Sequence, residues 1–238
     1  MFDSFATIIY RAPLIILATM FMALCSLAIM PFDGTGRRQA WCARVWGKIL
    51  CGVMGIRVKV EGLEHLDLSR NYIFVSNHLS YADTPVLLAN ISSNFRFMAR
   101  AGLFRIPFLG HHLRSAGHVS IETENPRDAV RSMHDAGKTV REMGISLLIF
   151  PEGGRSLGEF GEFKGGAAFV AIKAGVPVVP VGLIGTREIM PRGSKVIHPG
   201  KVTVRIGVPV SVDGLTLKDR ESFTTELRNK VAELLESA

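Results

Sequence analysis

"SLLIF" (residues 146–150) and "VPVVPV" (176–181) carry almost no polar side chains, and each lies between glycines. A strand with one wet face alternates apolar and polar residues. Runs that are apolar on both faces belong to strands covered on both sides, as in a sheet between two layers of helix. Working outward, shorter β-branched and aromatic runs occur at 58–60, 72–75, 95–99, 118–121 and 202–206, with helical stretches between several of them. The clearest helix is 126–143: Asn125 suits the N-cap, Pro126 the first helical position and Gly144 the stop. Residues 219–236 place Phe223, Leu227, Val231 and Leu235 at four-residue steps, one apolar stripe. The expectation is an α/β fold, a mostly parallel or mixed central sheet covered by helices. Pro177 and Pro180 would confine 176–181 to a strand start or a sheet edge, a scaffold that also offers a floor for a lipid chain.

Ahead of this body, residues 12–32 hold no charged side chain until the segment closes at Phe32. That is about the ~20 residues needed to cross a hydrocarbon core. It is long for the apolar part of a signal peptide, and no small-x-small cleavage site follows. Arg37, Arg38, Arg44 and Lys48 come after it, so positive-inside reasoning puts the C-terminal body on the cytoplasmic side of the inner membrane. Residues 41–56, with Trp41 and Trp46 among Arg44 and Lys48, read as an amphipathic helix at headgroup level. The division expected is 1–56, membrane-binding helices, and 57–238, a catalytic α/β body.

The 238 residues include 28 Lys and Arg against 21 Asp and Glu, a net charge of +7. That surplus favours anionic partners: membrane lipids, phosphate esters or an acidic carrier protein. Nucleic acid is not expected, because no recognition motif is present and there are only three Tyr and two Trp for stacking. Cys25, Cys42 and Cys51 have no metal-like spacing and read as small hydrophobes.

Polar residues gather where strands should end. In "FVSNHLSYADTP" (74–85), His78 and Asp83 follow a buried strand. Five residues along one helix would set them about 140° apart. They meet only if His78 sits on the turn and Asp83 in the first helical turn after it, where an acid suits the helix dipole. A neutral imidazole held by a carboxylate is then a general base for a hydroxyl. The blander reading has Asp83 capping the helix 84–90 and His78 bonding backbone. In "FPEGGRS" (150–156), two glycines let backbone approach a ligand, and Arg155 offers a two-pronged phosphate contact. Arg96, Arg100, Arg105 and Arg114 lie among Leu and Phe in a stretch with no acid from 84 to 121, a surface suited to an anionic, amphipathic molecule. "GRSLG" (154–158) matches the hydrolase nucleophile elbow, but the strand directly before the serine and the helix directly after it are missing. Ser80, two residues from His78, points awkwardly for a nucleophile.

Together these stretches resemble the glycerolipid acyltransferase family, specifically the 1-acyl-sn-glycerol-3-phosphate acyltransferases. "NHLSYAD" (77–83), "RAGLFRIPFLG…GHVSIET" (100–123), "FPEGGRS" (150–156) and "VPVVPV" (176–181) are similar to the family's four blocks, in order. The resemblance implies His78 as base, Asp83 as its partner, and Arg100, Glu152, Gly153, Gly154 and Arg155 as substrate-binding, with Arg155 on the acceptor phosphate. It implies transfer of an acyl group from acyl-carrier protein or acyl-CoA to the sn-2 hydroxyl of lysophosphatidic acid, giving phosphatidic acid with no metal or other cofactor. Three departures stand out: Arg100 for the usual Lys, Gly154 for Thr, and Thr123 for Arg. Loss of that last cation leaves another lyso-lipid acceptor, such as a lyso-amino-acid lipid, as the alternative, with Arg96 or Arg127 as a substitute cation. A lipid hydrolase and a non-catalytic membrane module are the remaining rivals.

Overall fold

The computed structural model describes residues 2–34, 36–107, 109–122, 125–155 and 160–236. They form a seven-stranded sheet: β1 (Ile56–Glu61), β2 (Ile73–Ser76), β3 (Phe95–Arg100), β4 (Val119–Ile121), β5 (Ser146–Ile149), β6 (Val178–Ile184) and β7 (Gly200–Ile206). The spatial order is β1-β7-β6-β2-β5-β3-β4, and pairing is parallel except between β6 and β7. The helices in chain order are α1 (Phe2–Ala6), α2 (Ala12–Ile29), α3 (Arg37–Met54), α4 (Asp83–Asn90), α5 (Ala101–Phe104), α6 (Leu109–Ser115), α7 (Pro126–Met143), α8 (Gly166–Ala174), α9 (Thr186–Ile189) and α10 (Arg220–Glu236).

The alternation along each strand builds a core on both faces. In β2, Phe74 joins Leu148, Val179 and Val181 under α3 and α4. Its neighbours Ile73 and Val75 join Leu147, Ile149 and Val178 under α7, α8 and α10. α7 starts where Asn125 Oδ1 accepts from Arg127 N at 2.9 Å and ends at Gly144 with φ +58°. α10 follows a 3₁₀ turn secured by a reciprocal Thr216–Asp219 cap, which brings its start to Arg220.

Two expectations are corrected. β6 is an interior strand between β7 and β2, not an edge. Pro180 fits there because β7 ends at Ile206: opposite Pro180 lies Gly207, whose N–H donates to the Pro180 carbonyl at 2.8 Å, so no ladder partner for the missing N–H is needed. α3 is more than a headgroup-level helix, since Leu50, Cys51 and Met54 belong to the core beneath α4. Burial pushes the Cys51 thiol up to about 11, so it packs as a protonated hydrophobe. Trp41 is exposed, whereas Trp46 Nε1 donates to Thr19 Oγ1 of α2 at 3.0 Å. α3 therefore packs against both the N-terminal helix and the body.

Residues 3–32 run as helix long and apolar enough to cross a membrane. Within α2 only Met22 and Ser26 are buried; Leu14, Ile16, Leu17, Met20, Phe21 and Leu24 are exposed. A soluble protein rarely leaves so contiguous an apolar face to water. The helix base is pinned: buried Arg11 donates to the Ile197 carbonyl at 2.7 Å and pairs with Asp3 at 3.1 Å.

Candidate active site

β2, β5 and β3 are adjacent and parallel, so the loops after them leave the same edge of the sheet. Residues 77–82, 150–155 and Arg100 converge for that reason. Asn77 locks the first loop to β6: its amide donates to the Leu183 carbonyl at 2.9 Å, and its Oδ1 accepts from Leu183 N at 2.8 Å.

His78 sits on the turn and Asp83 opens α4, the arrangement their spacing required. His78 Nδ1 lies 2.7 Å from Asp83 Oδ2, with the carboxylate fully buried and the imidazole 15 % exposed. The same Oδ2 accepts from Leu79 N and Ser80 N, each at 2.8 Å. A carboxylate held by two backbone N–H groups is fixed in place, and it puts the imidazole proton on Nδ1. The Nε2 lone pair then has no hydrogen-bond partner among the described residues. The imidazole stacks on Phe150, centroids 4.0 Å apart and planes within 13°. Ser80 is spent on structure: its Oγ donates to the Met190 carbonyl at 2.8 Å and accepts from Ala82 N at 3.0 Å.

Cations gather around the second loop. Gly153 has φ +77°, a conformation that favours glycine, and its carbonyl accepts from the Arg100 guanidinium. A Cβ on Gly153 would meet Lys164 Nζ at 2.8 Å, and one on Gly154 would meet Arg100 Nη2 at 3.1 Å. Arg155 lies over the Tyr81 ring at 3.7 Å, and Arg192 donates to the Arg155 carbonyl at 3.0 Å. Glu152 turns its carboxylate to the protein's own backbone, accepting from His78 N at 2.8 Å and Gly161 N at 3.3 Å, and so ties the two loops together. Lys164 and Arg192 were missed in the sequence; a Lys before a Gly pair at the start of α8 was the one available hint.

Three of the four arginines in the acid-free stretch sit elsewhere. Arg96 is 2 % exposed and donates to the carbonyls of Gly36 at 2.8 Å, Ala116, and Phe95 at 3.1 Å. It braces the interior and is no substitute phosphate ligand. Arg105 pairs with Glu122 at 3.8 Å, and Arg114 donates to the Phe104 carbonyl at 2.6 Å. Arg127 is exposed at the start of α7. Thr123, Ser156 and Phe108 lie outside the described residues.

An open-sided cavity of about 550 Å³ lies among α2, α3, α4, α6 and β3. Thr84, next to Asp83, lines it together with Met22, Trp46, Leu88 and Leu113. Phe97, also in its wall, stacks on Phe150 at 6.1 Å, and Phe150 stacks on His78. The acyl floor expected from 176–181 is not there: helices and β3 form the walls, and β6 stays in the core.

The acyltransferase family model matches residues 57–184. A chloroplastic 1-acyl-sn-glycerol-3-phosphate acyltransferase of Brassica napus is 35 % identical over 209 residues, 86 % of this chain and 58 % of its own length. This chain thus spans a little over half the length of that relative. A 1-acyl-sn-glycerol-3-phosphate acyltransferase of Borreliella burgdorferi is 30 % identical, with 80 % of this chain and 76 % of its own covered. The crystal structure of the 1-acyl-sn-glycerophosphate (LPA) acyltransferase of Thermotoga maritima superposes with a TM-score of 0.76 at 28 % identity, covering 98 % of this chain and 95 % of that one.

Proposed function

The chain belongs to the acyltransferase family, and from that premise we propose that it acylates the free sn-2 hydroxyl of 1-acylglycerol 3-phosphate, giving phosphatidic acid. The observation that carries this reading is the buried Asp83 carboxylate 2.7 Å from His78 Nδ1, which leaves Nε2 without a hydrogen-bond partner among the described residues, on a loop tied by Glu152 to the one that carries Arg155. Nε2 takes the proton of the acceptor hydroxyl as its oxygen attacks the thioester carbon. The C–O bond forms, the C–S bond breaks, and the leaving thiolate recovers the proton. A thioester is already activated, so no acyl-enzyme is required. Asp83 stabilises the imidazolium that forms in between.

Arg155, with Arg100 and Lys164 beside the same loop, receives the acceptor phosphate, and the cavity walled by Thr84 and Phe97 receives the acyl chain. The donor is acyl-carrier protein or acyl-CoA, both anionic and suited to a chain of net charge +7. The N-terminal helix holds the body at the cytoplasmic face of the inner membrane.

The test is a product assay with lysophosphatidic acid and a labelled acyl thioester. Wild type should form phosphatidic acid. His78→Ala should reduce kcat by roughly 10²-fold or more, and Arg155→Ala should raise the acceptor KM far more than the donor KM. Substantial turnover by His78→Ala, or equal shifts in both KM values, would overturn the assignments.

A further inference from the structure

We propose that the acyl cavity contains a polar subsite, formed by His112 and His118, that takes an acyl chain bearing a hydroxyl or keto oxygen far from the thioester. The inference rests on the acyl-transfer reading above. Both imidazoles belong to the wall of a cavity otherwise lined by side chains such as Met22, Leu27, Leu88 and Leu113, and their centroids are 6.3 Å apart.

Their hydrogen bonds assign the tautomers. Phe97 N donates to His118 Nδ1 at 3.0 Å, so the proton of the neutral ring is on Nε2. Ser26 Oγ accepts from Gln39 Nε2 at 3.3 Å and lies 3.0 Å from His112 Nδ1; with the serine proton turned to Nδ1, the His112 proton is on Nε2 as well. Burial keeps both rings neutral: it lowers His112 and, with the charge of Arg96 nearby, takes His118 down to about 3. Neither Nε2 has a hydrogen-bond partner among the described residues. Two N–H donors thus face an apolar cavity.

A plain hydrocarbon chain covering these donors leaves them unsatisfied, whereas an oxygen placed between them satisfies both. The difference is worth roughly ten- to hundredfold in relative affinity. The place along the chain follows from the sheet. His78, Phe150, Phe97 and His118 form a stack across adjacent strands, with centroid steps of 4.0, 6.1 and 6.0 Å and planes within 18°. Three strand spacings set His118 roughly 14 Å from the catalytic ring. The favoured oxygen is therefore in the middle or far half of the chain, and one on the third carbon falls short.

The test uses the full-length protein with lysophosphatidic acid and acyl-CoA donors of matched length: unsubstituted, hydroxylated on the third carbon, and hydroxylated on the tenth or twelfth. Wild type should favour the mid-chain hydroxyl over the plain chain by roughly tenfold in kcat/KM. That ratio should collapse in His118→Phe and in His112→Leu. It should persist in His118→Asn, which still accepts from Phe97 N and still offers an N–H. Equal rates on plain and mid-chain donors, or a ratio unmoved in both apolar variants, would overturn the subsite. If no donor is turned over, the acyl-transfer reading fails. Calorimetry with the matched free fatty acids then decides the subsite alone, equal affinities overturning it.

Discussion

His78 and Ser80 stand two residues apart on one loop, and their hydrogen bonds divide the work between them. Among the described residues the imidazole is hydrogen-bonded on one side only, by Asp83 at 2.7 Å, and keeps an open nitrogen. The serine is fully buried, and both its donor and an acceptor position are committed within the protein. Ser80→Ala should therefore cost about 1–3 kcal/mol of stability by leaving the Met190 carbonyl and Ala82 N–H short of a partner, while the folded fraction still transfers acyl groups. Asp83→Asn should do the reverse: a folded chain with kcat down by several orders of magnitude, because the amide oxygen that takes the place of Oδ2 carries no charge to stabilise the imidazolium. Thermal unfolding and kcat on the same preparations separate the two. A Ser80→Ala protein that is folded and inactive would reinstate the nucleophile.

At the scale of elements, α3 and α4 touch backbone to backbone at Gly47, where a Cβ would meet the Pro85 carbonyl at 2.7 Å and Ala89 N at 3.0 Å. α4 carries Asp83 at its first residue and Thr84 and Leu88 in the cavity wall. Gly47→Ala should push the helices apart, costing about 1–3 kcal/mol, and lower kcat by moving Asp83. Gly52 on the same helix is the control: a Cβ there meets nothing within 4 Å, so Gly52→Ala should stabilise by about 1 kcal/mol through helix propensity. Denaturant midpoints with unchanged slopes would establish both signs; a stable, fully active Gly47→Ala would refute the close packing. Such contacts explain what the sequence withheld. The strand positions were legible because an apolar run between glycines is a local signal, as was the His78–Asp83 turn, whose spacing allowed one geometry. Strand order is not local. Nothing in "VPVVPV" says that β7 stops opposite Pro180, and nothing in "NFRFMAR" says that Arg96 points inward to the Gly36 carbonyl while Arg100 reaches the Gly153 loop. A cation's role depends on which carbonyls the fold brings to it.

Across the whole molecule, the apolar N-terminal helix is also a wall of the cavity. Met22, Ala23, Ser26 and Leu27 of α2 face the cavity, whereas Leu17 and Phe21 are 62 % and 64 % exposed on the same helix. The exposed face of α2 and the cavity wall thus form one continuous apolar surface. Two forces can hold the protein at a bilayer: burial of α2, which is insensitive to salt, and attraction of a +7 chain to anionic headgroups, which falls within a Debye length. Burial should dominate, because one apolar helix outweighs the roughly 1 kcal/mol each cation contributes at a charged surface. Leu17→Glu with Phe21→Glu should cut partitioning into vesicles by more than about 100-fold, since an acid in the apolar core costs about 2.5–3.5 kcal/mol. The fold should survive, because neither side chain is packed. Wild type should stay on both neutral and anionic vesicles in high salt, as read by co-sedimentation. Release of wild type by salt alone, or retention of the double variant, would show that headgroup charge and not α2 is the anchor.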